Sequence, residues 1–359
     1  MNKGLSSLFF RNNLVEVTYF VTSKCNLHCK HCFVKKKLNS GETELSIDEI
    51  KKIGKTIGPL YRVSISGGEP FLREDICELL IAIMECWKPR VITIPTNGSQ
   101  EMKIMESIKR WGCVSERYST KIRILFSLNS LGEKMDEFVG VKSFFKKFAQ
   151  TVKMSSAEAS RYKNVDVGVI SCFGVYNQGF FDEIVEFVKN DLAIDDFSIG
   201  LDRNQSGIDL DKYGEILDYY DKSEKSVFLC TYRKLVRQYM VDYFRKPKYF
   251  TKCYSGRLRV VISPSGFVYP CETLGYPGGE KVIGNLRDYD YDLKKMIESK
   301  AAVEIYSSIV DSRCHCNHGC DMSLNLLCSH KFKLKLLVMT GLNLFSRCRS
   351  SFKEWINWV

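Results

Sequence analysis

Hydrophobic and polar positions along the first two hundred residues fall into two alternating patterns. Short runs of β-branched and aromatic residues, such as LVEVTYFV at 14–21, are typical of strands. Between them lie longer segments with apolar residues three and four positions apart, the spacing of an amphipathic helix. The strand pattern predicts six strands, at 14–21, 61–66, 90–95, 121–127, 165–171 and 196–201. The helix pattern predicts five helices, at 46–57 (opened by a Ser46–Glu49 capping box), 74–87, 99–111, 141–155 and 178–190.

Strands that alternate with helices at this spacing favour an α/β fold, a parallel sheet built from βαβ units. Six units are fewer than the eight of a complete (β/α)8 barrel. Parallel sheets carry their chemistry in the loops that follow the carboxyl ends of the strands. Three motifs occupy such loops: CNLHCKHC after the first strand, GGEP after the second and TNG after the third. We therefore expect the functional site at this edge of the sheet.

The loop after the first strand contains Cys25, Cys29 and Cys32, spaced C-x3-C-x2-C. Three thiolates leave one iron of an iron–sulfur cubane without a protein ligand. An open coordination position of this kind is what a catalytic metal requires, whereas structural metal sites are closed. The alternative is a zinc site that takes its fourth ligand from a distant part of the chain. His28 and His31, which lie in the same loop, make a zinc site conceivable.

The composition of the chain indicates the compartment in which the protein works. The chain has 359 residues, 45% hydrophobic and 26% charged, which is ordinary for a soluble globular protein. Its start lacks a signal-peptide core, and no run reaches the roughly 18 apolar residues of a membrane span. We therefore expect a cytoplasmic protein, in which 15 cysteines indicate metal binding rather than disulfides. Six scattered cysteines are predicted to be packing residues: Cys77, Cys86, Cys113, Cys172, Cys230 and Cys348.

The cysteine spacing together with Gly67-Gly68-Glu69-Pro70 resembles the radical S-adenosylmethionine (SAM) superfamily over the first two hundred residues. The resemblance implies a partial (β/α)6 TIM-type barrel with a [4Fe-4S] cluster held by the three cysteines. It implies that the free iron binds the methionine moiety of SAM. Reductive cleavage of SAM then gives a 5′-deoxyadenosyl radical that abstracts hydrogen from a substrate. A reducing partner such as flavodoxin or ferredoxin would supply the electron.

The resemblance also implies contacts to SAM at the strand ends. Gly67 and Gly68 lack a Cβ, so their backbone can approach a ligand closely. The superfamily more often has Asp where Asn129 stands, in a polar pair that meets the ribose or carboxylate. Thr96 and Asn97 have a second interpretation as a simple turn, because Asn-Gly is a turn signal. The predicted cofactor-binding residues are Gly67, Gly68, Glu69, Pro70, Thr96, Asn97, Ser127 and Asn129.

A second group of cysteines lies near the C-terminus. Two strand-like runs, Arg259–Ile262 and Phe267–Tyr269, flank a Ser-Pro-Ser-Gly turn and predict a hairpin. With a cysteine before it and another at its far end, this hairpin resembles the start of the SPASM or twitch auxiliary domains of the superfamily. Since eight ligands for two further cubanes are not available, the resemblance implies one auxiliary [4Fe-4S] cluster. The predicted ligands are Cys253, Cys271, Cys316 and Cys320, with Cys314 able to replace either of the last two.

The alternative for this group is zinc, because His315, His318 and His330 lie in the same segment and mixed Cys/His sets suit zinc. Cys328, within an apolar run, is predicted to be a packing residue. The patterns, read with this resemblance, predict four parts of the chain. They are a radical SAM core at 1–204, a helical linker at 205–248, a SPASM/twitch-like domain at 249–330 and a basic amphipathic tail at 331–359.

The formal net charge is +11, and the tail contributes six Lys or Arg against one Glu. The basic residues form no stripe with interleaved aromatics, so we expect no nucleic-acid partner. Basic residues with leucines and with Trp355 and Trp358 are typical of a helix on a membrane surface, and peripheral membrane contact through 331–359 is one interpretation. The other is a C-terminal helix packed over the bottom of the barrel or over the auxiliary domain.

Two substrate classes stay open. Peptide maturases of the SPASM type often carry an N-terminal leader-binding domain, and a first strand that begins near residue 14 leaves no room for one. The sequence therefore favours a radical SAM oxidoreductase that oxidises a small or lipid-linked molecule, with the auxiliary cluster as electron acceptor. The alternative is a SPASM-type peptide maturase that forms a cross-link or thioether in a ribosomal peptide.

Overall fold

The computed structural model describes residues 14–192, 194, 196–203, 206–221, 226–277 and 279–356. Six parallel strands lie in the sheet order β6-β5-β4-β3-β2-β1. They are β1 (Glu16–Phe20), β2 (Arg62–Ser66), β3 (Val91–Thr96), β4 (Lys121–Ser127), β5 (Val165–Phe173) and β6 (Asp196–Leu201). The helices between them are α1 (Ile47–Gly54), α2 (Ile76–Cys86), α3 (Glu101–Ser115), α4 (Gly132–Val139), α5 (Phe144–Ala159) and α6 (Phe181–Asn190). The predicted α/β partial barrel is confirmed.

Side-chain alternation along the strands explains how the barrel is built. In β2, Val63 and Ile65 are fully buried, whereas Ser64 between them is partly exposed. The same alternation recurs in β3 and β6, and in the first half of β4. Because successive side chains of a strand point to opposite faces, the apolar set covers one face and the polar set the other. The polar face is the side on which ligands can be held.

Local signals account for the helix boundaries. The predicted capping box is present, since the Ser46 backbone N–H donates to Glu49 Oε2 (2.7 Å) and the Glu49 N–H donates to Ser46 Oγ (3.2 Å). The sequence pattern did not predict α4. Its apolar residues, Met135, Phe138 and Val139, are buried, but eight residues are too few for a periodic pattern to stand out from its surroundings.

The C-terminal hairpin extends the same sheet. The predicted runs form β7 (Arg259–Ile262) and β8 (Phe267–Tyr269), which pair antiparallel, and β9 (Gly284–Asn285) pairs with β8. Strand β7 also pairs in parallel with β1, with Val17 opposite Val260. A partial barrel leaves one edge of β1 without a neighbouring barrel strand, and unpaired backbone groups at an edge favour pairing with another strand. Two short helices follow, α9 (Leu293–Ile297) and α10 (Lys300–Asp311).

Within the described residues the chain forms two compact units. The barrel unit comprises residues up to 208 together with 255–308, and the helical unit comprises 209–254 together with residues from 309 onward. The helical unit contains α7 (Leu210–Asp221), α8 (Val227–Arg245), α11 (Gly319–Cys328) and α12 (His330–Ile356). The predicted boundaries at 204, 248 and 330 stay predictions. The two units have other boundaries, at 208/209, 254/255 and 308/309.

The helical unit has its own apolar core. Leu235 of α8, Leu326 of α11 and Phe332 of α12 are buried in one cluster with Met322 and Leu336. Among the described residues, no helix combines the length and the apolar character needed to cross a membrane.

Candidate active site

One cavity of about 180 Å³ in the barrel unit is lined by residues from the loops that follow β1, β2, β3 and β4. It brings together all the residues that the sequence predicts for the core site. They are Cys25, Cys29, Cys32, Gly67, Gly68, Glu69, Pro70, Thr96, Asn97, Ser127 and Asn129. Their convergence follows from the fold, because the carboxyl ends of parallel strands meet at one edge of the sheet. Their individual roles toward cofactors stay predictions.

The three cysteines of the first loop are partly buried thiols. Burial and the neighbouring Cys25 and Cys32 raise the pKa of Cys29 to about 12, and burial also raises the pKa of Cys25 and of Cys32. Such thiols hold their protons at neutral pH until a metal displaces them. Three thiols from one loop, facing one cavity, form a donor set that fits a [4Fe-4S] cluster with one open iron.

Gly67 and Gly68 are required by the packing of the polypeptide itself. A Cβ on Gly68 would lie 2.1 Å from the carbonyl oxygen of Lys24, and one on Gly67 would lie 2.5 Å from that of Thr22. Gly67 also has φ of +144°, a conformation that favours glycine. The backbone N–H of Gly68 donates to Thr22 O (2.9 Å), and that of Glu69 donates to Lys24 O (2.8 Å). The two glycines therefore seat the GGEP loop directly against the start of the cysteine loop.

Glu69 joins the loops that follow β2 and β3. Its carboxylate is 1% exposed; Oε1 accepts from Thr96 Oγ1 (2.8 Å) and Phe71 N (3.1 Å), and Oε2 accepts from Asn97 N (2.7 Å). Burial raises the pKa of Glu69 to about 7, against the opposing effect of these hydrogen bonds. Thr96 and Asn97 thus line the cavity and also belong to a turn, in which Gly98 has φ of +75°.

Asn129 connects the ends of β4 and β5 with the cysteine loop. Its Oδ1 accepts from the Cys172 backbone N–H (2.7 Å), and its Nδ2 lies 3.4 Å from His31 Nε2. The His31 ring packs on Phe138 and Tyr176, and burial lowers the pKa of His31. An amide can donate to a neutral imidazole and accept from a backbone N–H at once, which an ionised Asp cannot do. Asn129 thus connects the ends of β4 and β5 with the cysteine loop through both polar atoms of its amide.

Sequence reasoning missed Asn39, which clamps the first cysteine. The Cys25 backbone N–H donates to Asn39 Oδ1 (3.0 Å), and Asn39 Nδ2 donates to the Cys25 carbonyl (3.1 Å). The Asn39 N–H in turn donates to Ser23 O (2.8 Å), and Asn39 has φ of +54°. No motif marks this residue; its only signal is that Asn tolerates positive φ better than most residues.

We expect Asn39→Gly to weaken the hold on the cluster, because it removes both side-chain hydrogen bonds without adding strain at φ of +54°. The loss should be about 1 kcal/mol in stability and a several-fold faster release of iron to a chelator. The control is Ser119→Gly, which also introduces glycine at φ of +54° but lies outside the cavity. Equal rates of iron release from both variants would show that the Asn39 hydrogen bonds to Cys25 do not help to hold the cluster.

The C-terminal cysteines are only partly brought together. In the helical unit, Cys253, Cys314 and Cys316 line a small cavity of about 30 Å³. Burial, with Asp321 nearby, raises the pKa of Cys316 to about 12. Cys320 is exposed in the first turn of α11. Cys271 belongs to the barrel unit, where it is buried and its Sγ accepts from the Leu274 N–H (3.3 Å). The ligand set of an auxiliary cluster therefore stays a prediction.

Two histidines of the same segment, His318 and His315, have hydrogen-bonding partners there. Buried His318 bonds through Nδ1 to the carboxylate of Asp321, and His315 Nδ1 lies 2.8 Å from the Arg313 carbonyl oxygen. Across the part of the chain that the structure describes, no group of three or more His, Cys, Asp or Glu converges closely enough to hold a single metal ion.

Comparison with known proteins extends the picture over most of the chain. AlbA of Bacillus subtilis, an antilisterial bacteriocin subtilosin biosynthesis protein, is 26% identical over 269 residues, which is 72% of this chain and 54% of AlbA. This chain thus spans about half of the length of that relative. GTP 3′,8-cyclase of Cronobacter sakazakii is 32% identical over only 96 residues, 25% of this chain and 28% of the cyclase.

Among solved structures, Streptococcus suis SuiB bound to precursor peptide SuiA superposes with a TM-score of 0.59 at 20% identity, covering 84% of this chain and 69% of SuiB. This likeness shows a shared fold. The sequence model of the Radical SAM superfamily matches residues 19–202, more than half of the chain. The resemblance inferred from the C-x3-C-x2-C and GGEP motifs is thereby confirmed. The protein belongs to the radical SAM superfamily, whose cofactors are SAM and a [4Fe-4S] cluster.

Proposed function

We propose that this protein modifies a peptide, forming a cross-link or thioether after hydrogen abstraction from one of its residues. The similarity to AlbA carries the proposal. That alignment runs over 269 residues, whereas the superfamily core occupies only 19–202. A match of this length includes residues outside the core, where substrate specificity is expected to lie. The cyclase match covers 96 residues and can be contained within the core.

The proposal reverses the preference drawn from sequence alone, which favoured a small or lipid-linked substrate. That preference rested on the place of the first strand, and the relatives favour the peptide alternative instead. SuiB, which shares the fold over 84% of this chain, binds a precursor peptide. We also propose that the reaction is an oxidation of the peptide and that the new bond is a cross-link or a thioether.

The residues of the cavity have distinct tasks in this proposal. Bound together, the cluster and SAM supply a 5′-deoxyadenosyl radical that abstracts hydrogen from the peptide. Cys25, Cys29 and Cys32 would hold the cluster, and the backbone carbonyls of Gly67 and Gly68 would accept hydrogen bonds from the SAM ammonium. Apolar side chains of the same cavity, including Leu27, Met135 and Phe138, limit the access of water. Excluding water protects a reactive species from side reactions.

We further propose an auxiliary [4Fe-4S] cluster that accepts one electron as the new bond forms. Cys316 is the strongest candidate ligand, because it is partly buried and lines one cavity with Cys253 and Cys314. Such a role suits a reducing cytoplasm, which keeps thiols reduced and contains flavodoxin or ferredoxin. The two clusters then have separate roles: the core cluster donates the electron that cleaves SAM, and the auxiliary cluster accepts the electron released when the substrate is oxidised.

We expect Cys316→Ala to lower the iron content by about four atoms per chain while 5′-deoxyadenosine formation stays within a factor of a few. Modified peptide should fall below detection, because the electron acceptor is lost. The matched control is Cys230→Ala, at another partly buried cysteine of the helical unit. It should change neither the iron content nor the amount of modified peptide. Normal product from Cys316→Ala would contradict the assignment of this ligand.

A protease experiment tests the substrate class. Reconstituted protein is given dithionite, SAM and a low-molecular-weight cell extract, with half of the extract digested beforehand by a protease that is then inactivated. We expect the intact extract to stimulate 5′-deoxyadenosine formation several-fold and the digested extract to lose most of this effect. Stimulation that survives digestion would favour the small or lipid-linked substrate and overturn the proposal.

A further inference from the structure

The positive charge of the chain is concentrated in two segments. Residues 226–254 contain seven Lys or Arg and one Asp, and residues 331–359 contain six and one Glu. Their combined excess equals the net charge of the whole chain, +11, so the remaining residues balance. The segments include α8 and α12, which pack on each other through Leu235 and Phe332. The helical unit is therefore strongly basic, and the barrel unit is not.

Helix α12 buries one side and leaves the other exposed and apolar. Phe332 and Leu336 are 1% and 5% exposed and pack in the core of the helical unit. On the other side, five large apolar side chains are 49–65% exposed. We call this set the α12 face: Leu334, Leu337, Val338, Leu342 and Leu344. At about 100° per residue these positions fall in one sector of the helix.

Two lysines border this apolar sector, and a third, Lys331, lies at its N-terminal end about 60° from Leu334. Lys333 and Lys335 lie one position before and after Leu334, about 100° to either side of it around the helix. The sequence from 330 to 344 contains no Asp or Glu. Beside the face, a groove of about 530 Å³ between α8 and α12 is lined by Lys335 and by Lys234, which forms an ion pair with Asp218 (3.3 Å). An apolar centre with cationic borders matches a surface that offers both hydrocarbon and negative charge.

We propose that α12 binds an anionic lipid surface, lying in the membrane plane with the α12 face in the headgroup–acyl boundary. Interfacial helices combine an apolar face with Lys or Arg on the polar side, and their binding depends on buried apolar area together with attraction to anionic lipids. A second copy of this chain is a poorer occupant, because both partners would bring the same positive charge. The proposal does not depend on the identity of the substrate.

Vesicle flotation with the full chain tests the proposal. We expect the protein to float with vesicles that contain phosphatidylglycerol at about 0.1 M salt and to be released at about 1 M, where the Debye length falls from about 10 to about 3 Å. Pure phosphatidylcholine vesicles should retain at least tenfold less protein. Failure of the intact chain to bind phosphatidylglycerol vesicles would overturn the proposal.

Matched variants separate the α12 face from general charge. Leu337→Glu replaces a side chain that is 65% exposed, and Met102→Glu makes the same charge change at a residue of α3 that is 78% exposed. Both should fold, and only Leu337→Glu should lose vesicle binding, by tenfold or more. Equal binding by the two variants would exclude the face. A concentration-dependent dimer that Leu337→Glu dissociates would instead assign the face to a second copy and overturn the lipid proposal.

Discussion

Replacing Cys29 with alanine is expected to abolish both the core cluster and all cleavage of SAM. Cys29 is the central thiol of the C-x3-C-x2-C loop and lies beside Cys25 and Cys32 in the cavity. Two remaining thiolates would leave half of the cubane irons without a protein ligand. The variant should lose about four iron atoms per chain, and 5′-deoxyadenosine should fall below detection after reduction with dithionite.

The control for this prediction is Cys113→Ala, which removes an exposed thiol outside the cavity. It should retain full iron content and full SAM cleavage. Iron analysis and quantification of 5′-deoxyadenosine on the two reconstituted variants decide the matter. Undiminished 5′-deoxyadenosine from Cys29→Ala would refute the assignment of this loop to the catalytic cluster.

Gly68→Ala is expected to have the second-largest effect. The added methyl group would meet the Lys24 carbonyl oxygen at 2.1 Å and its carbon at 2.6 Å. These are backbone atoms of the residue before Cys25, so relief of the overlap must move the cysteine loop or the GGEP loop. Overpacking of this kind costs about 1–3 kcal/mol, and a displacement of about 1 Å at a catalytic site can cost about a hundredfold in rate.

The matched control is Gly58→Ala, because a Cβ there meets no atom within 4 Å. We expect 5′-deoxyadenosine formation to fall about a hundredfold in Gly68→Ala and to be unchanged in Gly58→Ala. The free energy of unfolding, measured by denaturant titration, should follow the same order. Gly68→Ala protein that cleaves SAM at the rate of the unmodified chain would show that the two loops are not tightly coupled.

Much of the barrel follows from local patterns. Strands at 61–66, 121–127 and 196–201 are rich in β-branched and apolar residues, and each occurs within a residue of its predicted bounds. The Ser46 capping box is a contact within one helical turn, so the sequence contains both partners. Helix α4 is not predicted, because eight residues are too few to show a helical spacing of apolar positions. Local patterns therefore succeed where the interactions that form an element lie within it.

The attachment of the C-terminal hairpin shows where such patterns stop. Arg259–Ile262 was predicted as a strand of a hairpin, but nothing in it indicates that it pairs with β1, more than two hundred residues earlier. Register between distant strands depends on which edges are left open once the other units are placed. Only the assembled sheet contains that information.

The sequence by itself determined the superfamily, the three thiols and the loops that carry the site, because ligand spacing and strand-end position are local properties. The tertiary structure decided how those loops hold one another. It gave Glu69 three hydrogen-bond partners across two loops, placed Asn39 on Cys25 and set Gly68 against Lys24. It also decided which side of α12 is left exposed. Each of these depends on contacts between residues far apart in the chain, and such contacts exist only after the strands and helices have packed.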